Sequence, residues 1–226
     1  MNNIKGVIFD FNGTLLWDTP YHNKAWNIFL EKYGISITEQ EIHDHMHGKT
    51  NGEIFPYLFK RQISGEELLK FSSEKEGIYR SLVEADDFQL ADGVVDTFDR
   101  CLGASLPLAI ATSSDRQNAD FYFERYNLKK WFMRMRFVYN DYTFKSKPEP
   151  DIFCIAANRM FLDPSEIMVF EDSPAGIEAA RRFGAGRIVI VNSAGMDYSQ
   201  YPFTVIDSFD QAWEIINQEI LSKRVI

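Results

Sequence analysis

Cysteine is scarce in this chain: Cys101 and Cys154 are the only two in 226 residues. That excludes a disulfide framework, and their spacing is not that of a thiolate metal site. Both lie in stretches that read as amphipathic helices, where a free cysteine behaves as a small apolar residue. Long hydrophobic runs are also missing. None approaches the ~18 apolar residues a membrane-spanning helix needs, and the run before Asp10 is too short for a signal peptide. These absences predict a cytoplasmic protein with no membrane partner. Positive charge is in deficit as well, with 24 Lys+Arg against 33 Asp+Glu and a formal charge of −9. Counterion release at phosphates drives nucleic-acid binding and needs a basic surface, so no nucleic-acid partner is expected. A local cluster can still hold one small phosphate ester.

What remains is ordinary globular material, 45% hydrophobic and 15% aromatic. The length fits one core domain with a modest insertion. Short, continuous apolar runs recur at Ile4–Phe9, Leu106–Ala111, Phe137–Tyr139, Ile167–Phe170 and Arg187–Val191. Runs that do not alternate suit strands covered on both faces of a parallel sheet. Helical stripes lie between them: Val94, Val95, Phe98, Cys101 and Leu102, stopped by Gly103; Ile152, Phe153, Ile155, Ala156 and Met160; and Ile177, Ala180 and Phe183, stopped by Gly184. Strand and helix in alternation give an α/β fold with a Rossmann-like, doubly wound parallel sheet.

From about Trp17 to Asp87 the alternation breaks into consecutive helices, predicted at Pro20–Tyr33, Glu39–Met46, Asn51–Lys60 and Glu66–Val83. Thr38-x-x-Glu41 and Ser64-x-x-Glu67 are spaced as capping boxes for the second and fourth. The expected division is a core of 1–16 and 88–226 and a small all-helical cap of 17–87. The cap is expected over the edge where open α/β sheets bind ligands.

The chemistry concentrates where strands end. Val7-Ile8-Phe9 runs into Asp10-Phe11-Asn12-Gly13-Thr14, a carboxylate followed at once by a tight turn. Taken alone, Asp-x-Asn-Gly is also a common turn. The second apolar run leads into Thr112-Ser113-Ser114 and then a helix, whose first N–H groups suit an anion. The fourth leads into Glu171-Asp172-Ser173, two acids that are costly to bury unpaired. With Asp10 they form an oxygen-rich set of the kind Mg²⁺ takes. Lys147, before the helix at Pro150, could neutralise a phosphoryl oxygen and relieve repulsion among the acids.

Together these segments resemble the haloacid dehalogenase-like (HAD) phosphohydrolase superfamily, and within it the β-phosphoglucomutase/phosphoglycolate phosphatase-like branch. The resemblance spans essentially the whole chain, with four motifs in order. It implies that Asp10 is the nucleophile, that Thr112 with Ser113 binds phosphate, and that Lys147 is the family lysine. It implies Mg²⁺ held by Asp10, Glu171, Asp172 and the backbone carbonyl of Asn12. The substrate would be a small phosphorylated metabolite, and the protein a monomer or weak homodimer. In the cap, the resemblance puts His22, Lys49 and Asn51 among substrate-contacting candidates. His43-x-His45-x-His47 is read as solvated or structural, because helical spacing turns His45 away from the other two.

One position departs from the pattern. The family's Asp-x-Asp has Asn12 as its second member here, and an amide cannot give up and recover a proton at neutral pH. General acid–base help is worth about 10²–10⁴-fold. The implied enzyme is therefore a Mg²⁺-dependent phosphatase acting through an aspartyl-phosphate at Asp10, slowed by Asn12. Two alternatives stand beside it: a catalytically impaired phosphate-ligand binding or regulatory relative, and a sugar phosphomutase.

Overall fold

The computed structural model describes residues 4–38, 41–42, 45–46 and 50–221. The chain divides into two compact units, one of Met1–Trp17 with Gln89–Ile226 and one of Asp18–Phe88.

The larger unit is built on a six-stranded sheet. Its strands are β1 (Gly6–Phe9), β2 (Leu108–Ala111), β3 (Phe137–Val138), β4 (Ile167–Glu171), β5 (Arg187–Val191) and β6 (Thr204–Ile206), in the order β3-β2-β1-β4-β5-β6. All the pairings are parallel, with Val7 of β1 opposite Leu108 on one side and Met168 on the other. β1, β2 and β4 are buried along their whole length, as continuous apolar runs require when helices cover both faces. β6 has a half-exposed pattern in only three residues, too weak a signal for the sequence to announce.

The crossover helices are α4 (Val94–Gly103), α5 (Arg116–Arg125), α6 (Asp151–Met160) and α7 (Pro174–Phe183), and α8 (Ala212–Leu221) follows β6. Ile152, Phe153 and Ala156 of α6 and Ala179, Ala180 and Phe183 of α7 form one cluster with Ile8 and Val169 of the sheet. Phe9 stacks on Phe170 at 5.1 Å and meets Phe98 edge-on at 5.3 Å, carrying α4 on the same sheet. α7 starts where Ser173 accepts from the Gly176 N–H and ends at Gly184 with φ 79°, a left-handed stop that suits glycine. The sheet order turns about β1, whose neighbours β2 and β4 come from crossovers in opposite directions. The carboxyl end of β1 is thus the switch point, the place where open α/β sheets form ligand crevices.

Among the described residues the smaller unit contains only helices: α1 (Thr19–Lys32), α2 (Asn51–Phe59) and α3 (Gly65–Ala85). An aromatic core of Trp26, Phe29, Phe55 and Phe71 joins them. Ser64 and Glu67 form the expected reciprocal cap of α3, and Thr38 and Glu41 make the same pair of bonds. Thr50 with Glu53 supplies a third capping box, at α2. The helix expected at Glu39–Met46 falls partly outside the described residues, as do His43, His47 and Lys49. His45 stacks on Tyr57 at 4.1 Å.

Candidate active site

Three strand ends, those of β1, β2 and β4, and one loop supply the site. Asp10 follows β1, and its backbone N–H donates to the Phe170 carbonyl at 2.9 Å, continuing the β1–β4 ladder by one bond. Gly13, at φ 80°, then reverses the chain, and its N–H donates to the Leu16 carbonyl at 2.7 Å. A side chain is barred there twice: the left-handed φ disfavours it, and a Cβ would stand 2.2 Å from Oδ2 of Asp172. The tight approach of this turn to β4 is what brings Asp10 and Asp172 into one site.

Lys147 is the electrostatic centre. Its Nζ donates to Asp10 Oδ1 at 2.5 Å, to Glu171 Oε1 at 2.6 Å and to the Ala111 carbonyl at 3.2 Å. Burial opposes the ammonium charge, but the two carboxylates outweigh it and hold Lys147 above the usual lysine range. Glu171 is fully buried, and its other oxygen accepts from the Ser173 N–H and hydroxyl at 2.7 and 3.0 Å. Asp172 accepts from the Thr14 hydroxyl at 2.8 Å, and its carbonyl accepts from the Tyr198 hydroxyl at 2.6 Å. Burial raises the Asp172 carboxyl well above its usual range, and the negative charges of Glu171 and Asp10 add to this. Three carboxylates face one lysine, so the cluster carries excess negative charge.

Glu171 needs its space kept clear. A Cβ added at Gly176 would lie 1.6 Å from Glu171 Oε1 and 2.4 Å from Oε2. The carboxylate cannot retreat without releasing Lys147 and Ser173. Gly176→Ala is therefore expected to cost about 3 kcal/mol or more, the upper end of overpacking with a strained buried ion pair added. Chemical denaturation would read this as a lower midpoint with an unchanged slope. An unchanged midpoint would contradict the packing described here.

Thr112 is buried, and its N–H donates to the Val138 carbonyl at 3.0 Å. Its hydroxyl accepts from the Ser114 N–H at 3.1 Å and donates to Asn12 Oδ1 at 3.3 Å. Ser113 is exposed, on a narrow cleft shared with Asn140, Phe144, Ser146, Lys147 and Ile152. Asn12 is held at both ends of its amide. Ser114 donates its hydroxyl to Oδ1 at 2.7 Å, and Nδ2 donates to the Tyr122 hydroxyl at 2.8 Å. Tyr122, fully buried on α5, stacks on Phe11 at 4.4 Å. Neither Ser114 nor Tyr122 stands out in the sequence as a partner of Asn12, because each lies more than a hundred residues away.

The structure thus gathers Asp10, Asn12, Thr112, Lys147, Glu171 and Asp172 at the carboxyl edge of the sheet. His22 and Asn51 belong to the helical unit. Asn51 opens α2. His22 lies against Tyr79 at 4.0 Å between ring centres, within a polar knot that the sequence did not reveal. Its Nδ1 is 2.8 Å from Lys75 Nζ and its Nε2 is 3.4 Å from Asp18 Oδ2. Lys75, only 3% exposed, also donates to Glu76 Oε1 at 2.9 Å, and Tyr79 donates to Asp18. Lysine on an amphipathic helix is normally read as solvated, so its burial here carried no sequence signal.

A parallel sheet with an acid at its switch point and a lysine braced between two carboxylates is an arrangement suited to an enzyme site for an anionic substrate. The chain belongs to the haloacid dehalogenase-like hydrolase family, whose sequence profile it matches over residues 4–184. Its branch is that of the β-phosphoglucomutases and phosphatases, and it is an enzyme of the phosphatase/phosphotransferase type. It is 30% identical to the phosphorylated carbohydrates phosphatase of Thermotoga maritima over 189 residues, 82% of this chain and 84% of that one. It is also 30% identical to fructose-1-phosphate phosphatase YqaB of Escherichia coli over 181 residues, 79% of this chain and 92% of that one. Among solved structures, a HAD hydrolase of family IA, variant 3, from Entamoeba histolytica superposes with a TM-score of 0.87 at 32% identity, covering 97% of this chain and 98% of that one. Among the described residues no helix is long and apolar enough to cross a membrane.

Proposed function

We propose that the protein is a Mg²⁺-dependent phosphohydrolase of small phosphorylated metabolites, sugar phosphates foremost, working through an aspartyl-phosphate at Asp10. The observation that carries this reading is the position of Asp10: at the switch point, on Lys147, in a cluster with more carboxylates than cations. The relatives at 30% identity, named for phosphorylated carbohydrates and fructose 1-phosphate, support the substrate class.

The donor set fits Mg²⁺. Among the described residues no group of three or more His, Cys, Asp or Glu side chains is arranged to hold a metal ion. Mg²⁺ does not need such a cage, since it takes one or two carboxylates and completes its shell with water and substrate phosphate. Asp10 and Asp172 would hold it with the Asn12 backbone carbonyl, and Glu171 would add negative charge behind them. Bound there, the ion would neutralise charge on the transferring phosphoryl group. Burial first, and then the charges of Glu171 and Asp10, raise the Asp172 carboxyl, and a bound cation would offset the part due to charge.

The chain's own residues do the rest. An Asp10 oxygen forms the bond to phosphorus as the ester oxygen leaves. Lys147 holds Asp10 in place and offers positive charge to the phosphoryl oxygens, with Ser113 on the same cleft. Water then takes the phosphoryl group from Asp10. In the helical unit, the substrate-contacting role of His22, Lys49 and Asn51 is part of this proposal and rests on the family resemblance.

Mg²⁺ binding has a readout apart from turnover. A ligand that binds only the folded state stabilises it by about 2.7 kcal/mol at one hundred times its Kd. Mg²⁺ is expected to raise the melting temperature at neutral pH, and Asp172→Ala to remove that rise. The sign with pH follows from Asp172. Its folded pKa is raised, so its stability contribution is full below the unfolded carboxyl value of about 4. It is lost as pH rises through the folded value. Metal-free protein should therefore lose stability over that window, and Mg²⁺ should restore it. A melting temperature indifferent to Mg²⁺ at neutral pH would contradict the assignment. Activity is tested by phosphate release from hexose, pentose and glycerol phosphates with and without Mg²⁺.

A further inference from the structure

We infer that Asn12 makes this enzyme a leaving-group-selective phosphoryl acceptor: it takes the phosphoryl group readily only from donors whose leaving group departs as a stable anion, and its aspartyl-phosphate then persists. The donors of this class are acyl, enol and aryl phosphates. The inference rests on the phosphohydrolase reading above and narrows it: sugar phosphates, whose leaving group is an alcohol, are turned over slowly, behind the acyl, enol and aryl phosphates.

The argument starts from the Asn12 amide. Oδ1 accepts from the Ser114 hydroxyl at 2.7 Å and the Thr112 hydroxyl at 3.3 Å, while Nδ2 donates to the Tyr122 hydroxyl at 2.8 Å. Serine, threonine and tyrosine hydroxyls are not bases at neutral pH, and neither is an amide. The network braces the side chain of Asn12 but transmits no proton near pH 7. Lys147 is committed elsewhere, between Asp10 and Glu171.

The two steps then diverge. In the first, the Asp10 oxygen–phosphorus bond forms as the phosphorus–leaving-group bond breaks. An alcohol leaving group must carry away a proton, and with none available from Asn12 that step loses the 10²–10⁴-fold or so that general acid catalysis supplies. A carboxylate, enolate or aryloxide needs no proton and keeps its rate. In the second step a water oxygen bonds to phosphorus and the Asp10 carboxylate is released. One water proton stays on the phosphate and the other passes to solvent, unaided by Asn12. That step is slow whatever the donor, so the phosphoenzyme accumulates when the first is fast.

The test uses Mg²⁺-loaded full-length protein and its Asn12→Asp variant with p-nitrophenyl phosphate, acetyl phosphate and glycerol phosphate. The unaltered chain should release a burst of p-nitrophenol equal to the protein concentration, followed by slow turnover. Acid-quenched intact mass should show one added phosphoryl group, removable by hydroxylamine. Glycerol phosphate should give neither. Asn12→Asp should abolish the burst and raise steady turnover by about 10²–10⁴-fold. If Asn12→Asp is active while the unaltered chain shows no burst, no mass gain and the same rate on all three donors, another group handles the proton. The inference then falls and the phosphohydrolase reading stands. If neither protein releases phosphate from any donor, both fall.

Discussion

Asp10→Asn is expected to abolish Mg²⁺-dependent phosphate release while leaving stability almost unchanged. Removing the nucleophile of a covalent mechanism costs on the order of 10⁶-fold in kcat, far more than the loss of any supporting group. Stability should not follow. The amide oxygen can still accept from Lys147, which keeps its 2.6 Å bond to Glu171. Losing a negative charge also eases the repulsion that raises the Asp172 carboxyl. The expected melting temperature is equal to or slightly above that of the unaltered protein. Kinetics and calorimetry on one preparation would show the two effects separating. A variant that unfolded would make Asp10 a structural acid.

Lys147→Met is the structural counterpart, and its largest effect should be on folding. Breaking a buried pair by removing one partner costs about 3–5 kcal/mol, because the remaining charge is left uncompensated. Here a single Nζ serves both Asp10 and Glu171, and its side chain is only 6% exposed. Against a total of about 5–15 kcal/mol for a folded domain, that loss is severe. The pH dependence follows from the raised Lys147 value. The stabilisation is complete below the unfolded lysine value of about 10.4 and fades only as pH rises through the folded one, so it is undiminished at neutral pH. In Lys147→Met the Asp172 carboxyl loses a charge that lowers it, so the variant should recover stability as pH falls toward about 4. Lys147→Arg keeps the charge in a wider, planar head that does not match three acceptors around one nitrogen. It should fold better than Lys147→Met yet remain slow. A Lys147→Met variant as stable as the parent at pH 7 would contradict the ion triad.

Both effects concern residues the sequence could announce, because buried strands ending in charged residues are a local signal. Five of the six strands were legible as short continuous apolar runs. The sixth, Thr204–Ile206, was not, being three residues long with Val205 exposed. The acids were readable as a set because each follows such a run, and Lys147 because it stands just before a helix; the family resemblance then gave them roles. What could not be read is side-chain pairing across the fold. Tyr122 is an aromatic on a helix, and nothing local reveals that its hydroxyl meets the amide of Asn12. Lys75 sits among acids and polar residues on α3, yet it is buried with His22, Glu76 and the Trp26 ring. Gly176 reads as a helix residue, and its need to lack a Cβ appears only once Glu171 is seen beneath it. Periodicity assigns faces, but it does not say which distant side chain fills the space opposite.

The measurement that tests the central claim most directly is phosphate release from fructose 1-phosphate and p-nitrophenyl phosphate, with and without Mg²⁺, for the unaltered chain, Asp10→Asn and Asn12→Asp. The account predicts Mg²⁺-dependent release by the unaltered chain, with p-nitrophenyl phosphate well ahead of fructose 1-phosphate, faster release by Asn12→Asp, and none by Asp10→Asn although it remains folded. Release that persists in folded Asp10→Asn, or that is absent from Asn12→Asp with Mg²⁺ present, would contradict it.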